Sequence, residues 1–203
     1  MNTLCMYNWR KLSPEQRVLL LKERQNLNRS WHRPSRQTKG TWLHITAACY
    51  EHKPVIGASP HRMKTFLQEL LECVHQESLE VSAWCLLPNH YHLLLRTLDE
   101  KLLTTSLGKH HGRTSHAWNI EDETSGRKCF HGLLPKKIHS TEHRWATLNY
   151  IHHNQVKHGY VKKWQDWPYS SAHEYLQDVG KPTAQHIWND FPILEMGKGW
   201  DDD

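Results

Sequence analysis

The chain contains no pair of cysteines at C-x-x-C spacing and no apolar run long enough to span a bilayer. Nor does it open on a basic, then apolar, then small-residue cleavage pattern. Each absence removes a class of protein. Its five cysteines, at 5, 49, 73, 85 and 129, lie mostly within apolar segments. That placement excludes a disulfide scaffold or a cysteine zinc site and predicts reduced, buried thiols. Without a hydrophobic span or a secretory leader, a cytoplasmic protein with no membrane partner is expected. The excess of one charge is also small: 26 Lys and Arg against 21 Asp and Glu give a net charge of +5. This permits a polyanionic partner without requiring one. Tryptophan, by contrast, is plentiful at ten residues. Most are expected in the core or at interfaces, and those beside basic residues are suited to stacking on bases.

A length of 203 residues suits one domain with appended ends. Residues 1–37 read as a helical arm and basic linker. Ser13-Pro14-Glu15-Gln16 is a helix start, Val18–Leu21 is apolar, and a basic, polar stretch follows to Lys39. The core is expected over 38–180. Strands are predicted at Trp42–Cys49, in two pieces between Glu80 and Leu95, and at Arg127–Ile138. Helices are predicted at Pro60–Gln76, Thr105–Asn119 and His143–Asn154, with loops and short turns elsewhere. The β-α-β-α-β order predicts an α+β fold with helices on one face of an antiparallel sheet. Residues 181–203 read as a C-terminal tail whose aromatics, such as Trp188 and Phe191, pack on the core.

The most informative run is Leu86-Leu-Pro-Asn-His-Tyr-His-Leu-Leu-Leu95. It begins at a Pro-Asn turn signal and is too short for a typical helix, so it reads as a strand. On a strand His90 and His92 share one face, about 7 Å apart, and Tyr91 projects from the other. Two imidazoles so placed can share a divalent ion. In a chain with 18 histidines, however, an isolated His-x-His is a common coincidence. The surrounding text separates the two readings. Pro88-Asn-His-Tyr-His-Leu-Leu-Leu95 resembles the signature strand of the single-tyrosine HUH transposases, and most strongly the branch called REP-associated tyrosine transposases. Gly40–Tyr50 resembles the first strand of that family and Arg62–Val74 its first helix. Asn149–Tyr160 resembles its Tyr-Ile-x-x-Asn-Pro-Val segment, and Asp166-Trp-Pro-Tyr-Ser-Ser171 its Trp-Pro-Trp-Ser-Ser segment. The resemblance covers most of the chain and implies a ferredoxin-like core.

It also implies a chemistry. In the family the two histidines bind a catalytic metal, expected here as magnesium or manganese. A helix that follows supplies a tyrosine nucleophile and, about one turn later, an Asn or Gln that completes the metal site. Gly112–Asn119 stands where that helix is expected, so Asn119 is the matching amide beside His90 and His92. No tyrosine precedes it, because none of the seven lies between 92 and 149. Ser115 occupies the expected position, and serine is much harder to ionise than a phenol. On this reading a stable covalent adduct is not expected, unless Tyr150 or Tyr160 takes the role. Gln155 also departs from the family pattern, where proline follows the Asn, and only a change in local rigidity is expected. Lys109, Arg113, Arg127, Lys128, Lys136 and Lys137, interleaved with Trp118 and Phe130, suit single-stranded or hairpin DNA, with RNA the alternative. The expected function is transposase-like DNA binding with metal-dependent cleavage and strand transfer. The alternative is a non-cleaving nucleic-acid-binding relative that has lost the tyrosine. A homodimer is compatible with either. Cys129, His131, His152 and His153 match no standard zinc spacing.

Overall fold

The computed structural model describes residues 13, 15 and 40–193. The expected helical arm therefore lies outside the described residues except for Ser13 and Glu15, and so does the last part of the tail. Strand β1 (Thr41–Ala48) leads to helix α1 (Pro60–Glu77). Strands β2 (Glu80–Leu86) and β3 (His90–Thr97) precede helix α2 (Glu100–Glu121) and strand β4 (Leu134–Lys137). Helices α3 (Thr141–Lys157), α4 (Ala172–Val179) and α5 (Lys181–Asp190) follow. The four strands are antiparallel in the order β2-β3-β1-β4. A βαββαβ chain in that order is ferredoxin-like, as expected.

Local chemistry sets the helix starts. Ser59 accepts from Arg62 N ahead of Pro60, Asp99 from Leu102 N and Ser140 from His143 N. Each side chain satisfies an amide that the first turn leaves without a partner. The Asp99 cap explains why α2 begins five residues before the predicted Thr105. Strand β4, by contrast, is far shorter than the predicted 127–138. Phe130 makes only an isolated bridge to Cys49, Gly132 interrupts the run, and Pro135 has no N–H to donate. Proline is tolerated there because β4 is an edge strand. The loops expected after residue 154 include two further helices. Gly180 at φ 76° ends α4 and turns the chain, and Pro182 fits the first turn of α5.

The sheet has a core on each side. Leu43, Ile45, Tyr91, Leu93 and Leu95 pack with Phe66 and Leu70 of α1 and with Leu103, Leu107 and Trp118 of α2. These are the two helices of the ferredoxin-like unit, on one face as expected. Ala83, Cys85 and Leu94 face the other way, against Trp145, Leu148, Tyr150 and Ile151 of α3 and Ile187 of α5. The sheet is thus covered on both faces, which accounts for its lack of a clean apolar–polar alternation. Strand β3 is buried along nearly its whole length. Helix α3 has buried residues all round, from Asn149 to Gln155, because it is wedged between the sheet and the C-terminal helices.

Candidate active site

The register places the site. Thr46 pairs with His92 and Ala48 with His90 across β1 and β3, so His44, Thr46, His90 and His92 share one sheet face. That face meets α3. Both signature histidines are buried, and their rings lie 5.1 Å apart, edge to face. His92 Nδ1 is engaged by Thr46 Oγ1 at 3.0 Å and His44 Nε2 at 3.2 Å. This fixes the ring through Nδ1 and assigns any metal bond to Nε2. His90 Nδ1 lies 2.8 Å from Asn89 Oδ1 and donates to it, which orients the ring toward α3.

Two residues of α3 meet these rings. Asn154, fully buried, sets Oδ1 3.0 Å from His90 Nε2. Tyr150, one turn earlier on the same helix, is also buried, and its ring stands edge-on to His92 at 5.3 Å and His44 at 5.9 Å. The His158 ring is 4.9 Å from that of His90, and Lys157 Nζ lies 5.9 Å from the Tyr150 ring. Gln155 is no mere substitute for a stiffer residue. It accepts from Cys85 Sγ at 3.2 Å and donates to the carbonyls of His152 and Trp164, tying α3 to β2.

The donor set fits a hard divalent ion. With Nδ1 of His90 donating to Asn89, the neutral ring presents a lone pair at Nε2 toward the Asn154 oxygen. Two facing acceptors need a proton on one of them or a cation between them. The amide nitrogen of Asn154 is buried and has no hydrogen-bond partner among the described residues. A separation of 3.0 Å also matches the roughly 3 Å edge between two ligands about 2.1 Å from one octahedral ion. Among the described residues no group of three or more His, Cys, Asp and Glu is arranged to hold a metal. Beside the two histidines this face presents the amide of Asn154.

The structure separates the other predicted site residues from the histidines. Asn119 is not the amide beside them. It lies on the α2 side of the sheet, where its side chain donates to Arg127 O and accepts from Arg127 Nε, at 2.8 and 3.1 Å. Ser115 likewise lines a cleft on that side with His111 and Phe130. The reason is strand alternation: α2 packs on the Tyr91 face, and the Tyr91 hydroxyl hydrogen-bonds His111 Nε2 at 3.0 Å. Trp118, expected to stack on bases, is buried between Phe66 and Phe130 with the Arg62 guanidinium 5.3 Å from its ring. Lys109 and Arg113 are exposed on α2, and Lys136 and Lys137 on edge strand β4. Arg127 is half-buried and paired with Asp122 at 2.6 Å. Lys128 is exposed over the Tyr50 ring. The basic surface thus wraps the edge of the sheet and its α2 side.

Of the residues at the histidine face, His44 and Asn154 were missed in the sequence, and Tyr150 was named there only as a substitute nucleophile. His44 was legible as an alternate position of β1. Tyr150 and Asn154 carry the i, i+4 spacing expected of the nucleophile and amide, but on the helix after the one assigned.

Comparison with known proteins gives relatives in sequence and one solved structure of similar fold. No family model matches the chain. It is 28% identical over 145 residues to a putative REP-associated tyrosine transposase of Haemophilus influenzae, covering 61% of this chain and 74% of that one. It is 28% identical over 151 residues to the REP-associated tyrosine transposase of Escherichia coli, covering 73% and 84%. Its fold is similar to a solved REP-associated tyrosine transposase bound to a REP hairpin. The TM-score is 0.55 at 21% identity, with 73% of this chain and 86% of that one covered.

Proposed function

We propose that this chain, a homologue of the REP-associated tyrosine transposases, binds hairpin-forming single-stranded DNA and cleaves it with Tyr150 as nucleophile. The observation that carries the reading is the meeting of Tyr150 and Asn154, one helical turn apart, with His92 and His90 on a single buried face. His90, His92 and Asn154 would hold a magnesium or manganese ion. Bound there, the ion would act as a Lewis acid that polarises the scissile phosphate and offsets its charge.

The chain's own residues divide the remaining work. Thr46, His44 and Asn89 hold the two imidazoles through their Nδ1 atoms, so the Nε2 atoms need no reorganisation. Helix α3 presents the Tyr150 phenol beside them on a rigid element, which limits the entropy lost on reaction. The phenol gives up its proton as its oxygen attacks phosphorus, the bond to the 3′-oxygen breaks, that oxygen takes up a proton and leaves as a 3′-hydroxyl, and the 5′ phosphate stays on the tyrosine. Lys157 is placed to balance phosphate charge near the Tyr150 ring. No helix among the described residues is long and apolar enough to cross a membrane.

Incubation of the protein with a labelled DNA hairpin carrying single-stranded flanks, with and without manganese, tests the reading on a denaturing gel. A manganese-dependent band shifted by the mass of the protein is expected. Free cleavage product without an adduct would favour a water-using nuclease. Binding without either product would favour the non-cleaving relative.

A further inference from the structure

Helix α3 meets the histidines on one side and is held from the others. Asn149, His152, Asn154 and Gln155 are all buried polar residues within about two turns of it. Burying a polar group costs free energy unless it is bonded, and apolar side chains would fill the space without that cost. What bonded polar groups add is direction, because a hydrogen bond fixes where its partner sits. Asn154 faces His90. Asn149 Nδ2 donates to the carbonyls of Ile187 and Phe191, at 3.2 and 2.8 Å, at the end of α5. Gln155 accepts from Cys85 Sγ. His152 projects nearly opposite Tyr150 on the helix, and its Nε2 bonds Ser171 Oγ at 2.9 Å.

The Asp166–Ser171 segment, which takes no part in the histidine face, supplies that anchor. It lies along the outer edge of β2. Leu86 N donates to Tyr169 O at 2.8 Å, Ser171 N to Trp84 O at 3.0 Å and Trp167 Nε1 to Leu86 O at 2.8 Å. Cys85 forms a bridge with Ser170. Trp84 N also donates to Ser171 Oγ at 2.9 Å, so this one hydroxyl joins strand and helix. The His152 ring is enclosed by Trp164, 6.0 Å away and 18° from parallel, and by Tyr175 at 4.9 Å. The rungs of the sheet involved are those of the signature strand: Trp84 pairs with Leu93 and Cys85 with His92. The helix bearing Tyr150 and Asn154 is thereby referenced to the stretch of sheet that bears His92.

We infer that His152 and Ser171 are positioning residues that set the rotation of α3 about its axis, and through it the placement of Tyr150 and Asn154 at the histidine face. The inference rests on reading Tyr150 as the nucleophile and Asn154 as a metal donor. Small rotations matter at this site. At about 5–6 Å from the axis, the radius that side chains reach, a turn of about 10° moves an atom by about 1 Å. A misplacement of about 1 Å can cost about a hundredfold in rate.

His152→Leu tests the inference by keeping the bulk of the side chain and removing its bond. Ser171 Oγ keeps Trp84 N as a partner, so the melting temperature is expected within about 4 °C of wild type. The rate of covalent adduct formation on a labelled DNA hairpin with manganese should fall about tenfold or more, with hairpin affinity unchanged. Manganese affinity of the DNA-free protein, read by calorimetry, should weaken about tenfold. Ser171→Ala breaks the bond from its other end and should give the same two losses. His152→Gln, whose amide can bond Ser171 Oγ, should restore both toward wild type. Val74→Ala opens a cavity in α1 on the far side of the sheet. It should lower the melting temperature and leave both readouts unchanged where the protein is folded.

Wild-type adduct rate and manganese affinity in His152→Leu and Ser171→Ala would overturn the inference. Losses of the same size in Val74→Ala would also overturn it, since they would mark a merely structural role. Absence of any adduct with the wild-type protein would instead remove Tyr150 as nucleophile, and manganese affinity would then decide the positioning of Asn154 by itself. Absence of manganese binding as well would remove the metal reading and this inference with it.

Discussion

Replacing Tyr150 by phenylalanine separates chemistry from architecture. The Tyr150 side chain is 1% exposed and packs on His92, His44 and the α3 core. Truncation to alanine would open a cavity and cost about 3–5 kcal/mol, so loss of activity would say little about mechanism. Tyr150→Phe keeps the ring and removes one oxygen. Even if that oxygen makes a hydrogen bond, its loss costs about 1 kcal/mol. In a protein of this size that lowers the melting temperature by about 2–4 °C. The effect on chemistry should be total, since phenylalanine has no nucleophilic atom. The covalent band on a denaturing gel should vanish while hairpin binding and manganese binding stay within about twofold, well under 1.4 kcal/mol. Ser115→Ala is the matched control and should leave the band unchanged, because Ser115 lies in the cleft on the far side of the sheet. An adduct that survives Tyr150→Phe, or one that maps to the exposed Tyr160, would refute the reasoning. So would an adduct abolished by Ser115→Ala.

Other outcomes follow from the same geometry. By calorimetry, Asn154→Ala should weaken manganese binding about tenfold or more, while Asn119→Ala leaves it unchanged; equal effects would refute the donor set. Burial pushes His111 and His152 down to about 3 from the ordinary histidine range. As pH falls below about 6.5, the unfolded chain therefore takes up protons that the folded chain refuses. Stability should be full above that pH and fall by about 1.4 kcal/mol per unit for each histidine toward pH 3, read as a drop in the urea midpoint. A flat midpoint between pH 7 and 5 would contradict it. A methyl group added at Gly57 would sit 2.4 Å from Pro88 Cβ and 2.9 Å from its Cα, so Gly57→Ala should cost about 1–3 kcal/mol. Because Pro88 opens the turn into His90, this variant should also weaken metal binding, whereas Gly126→Ala should not.

Much of the fold was legible because it is written locally. Ser59-Pro60 and the apolar spacing behind it specify α1, and Pro88-Asn89 separates β2 from β3. Alternation along His90-Tyr91-His92 places both imidazoles on one face whatever packs against them. The order of elements then implies the ferredoxin-like sheet, and Asn154 with Tyr150 shares a helix face by spacing alone.

Which helix covers which face is a different matter. Strand β3 is buried on both sides, so its residues carry no sign of the side that meets α2 and the side that meets α3. Chain proximity favoured α2, the helix directly after β3, and with it Ser115 and Asn119. The crossover to β4 instead packs α2 against Tyr91, through its bond to His111, and leaves the histidine face for α3. Helix α3 gives a poor amphipathic signal because it is buried all round, and that hid its role as the partner of the histidines. The residue types and spacings of the site are thus local properties of the sequence. Their assignment to one face was decided by long-range packing, through burial on both sides of a four-stranded sheet.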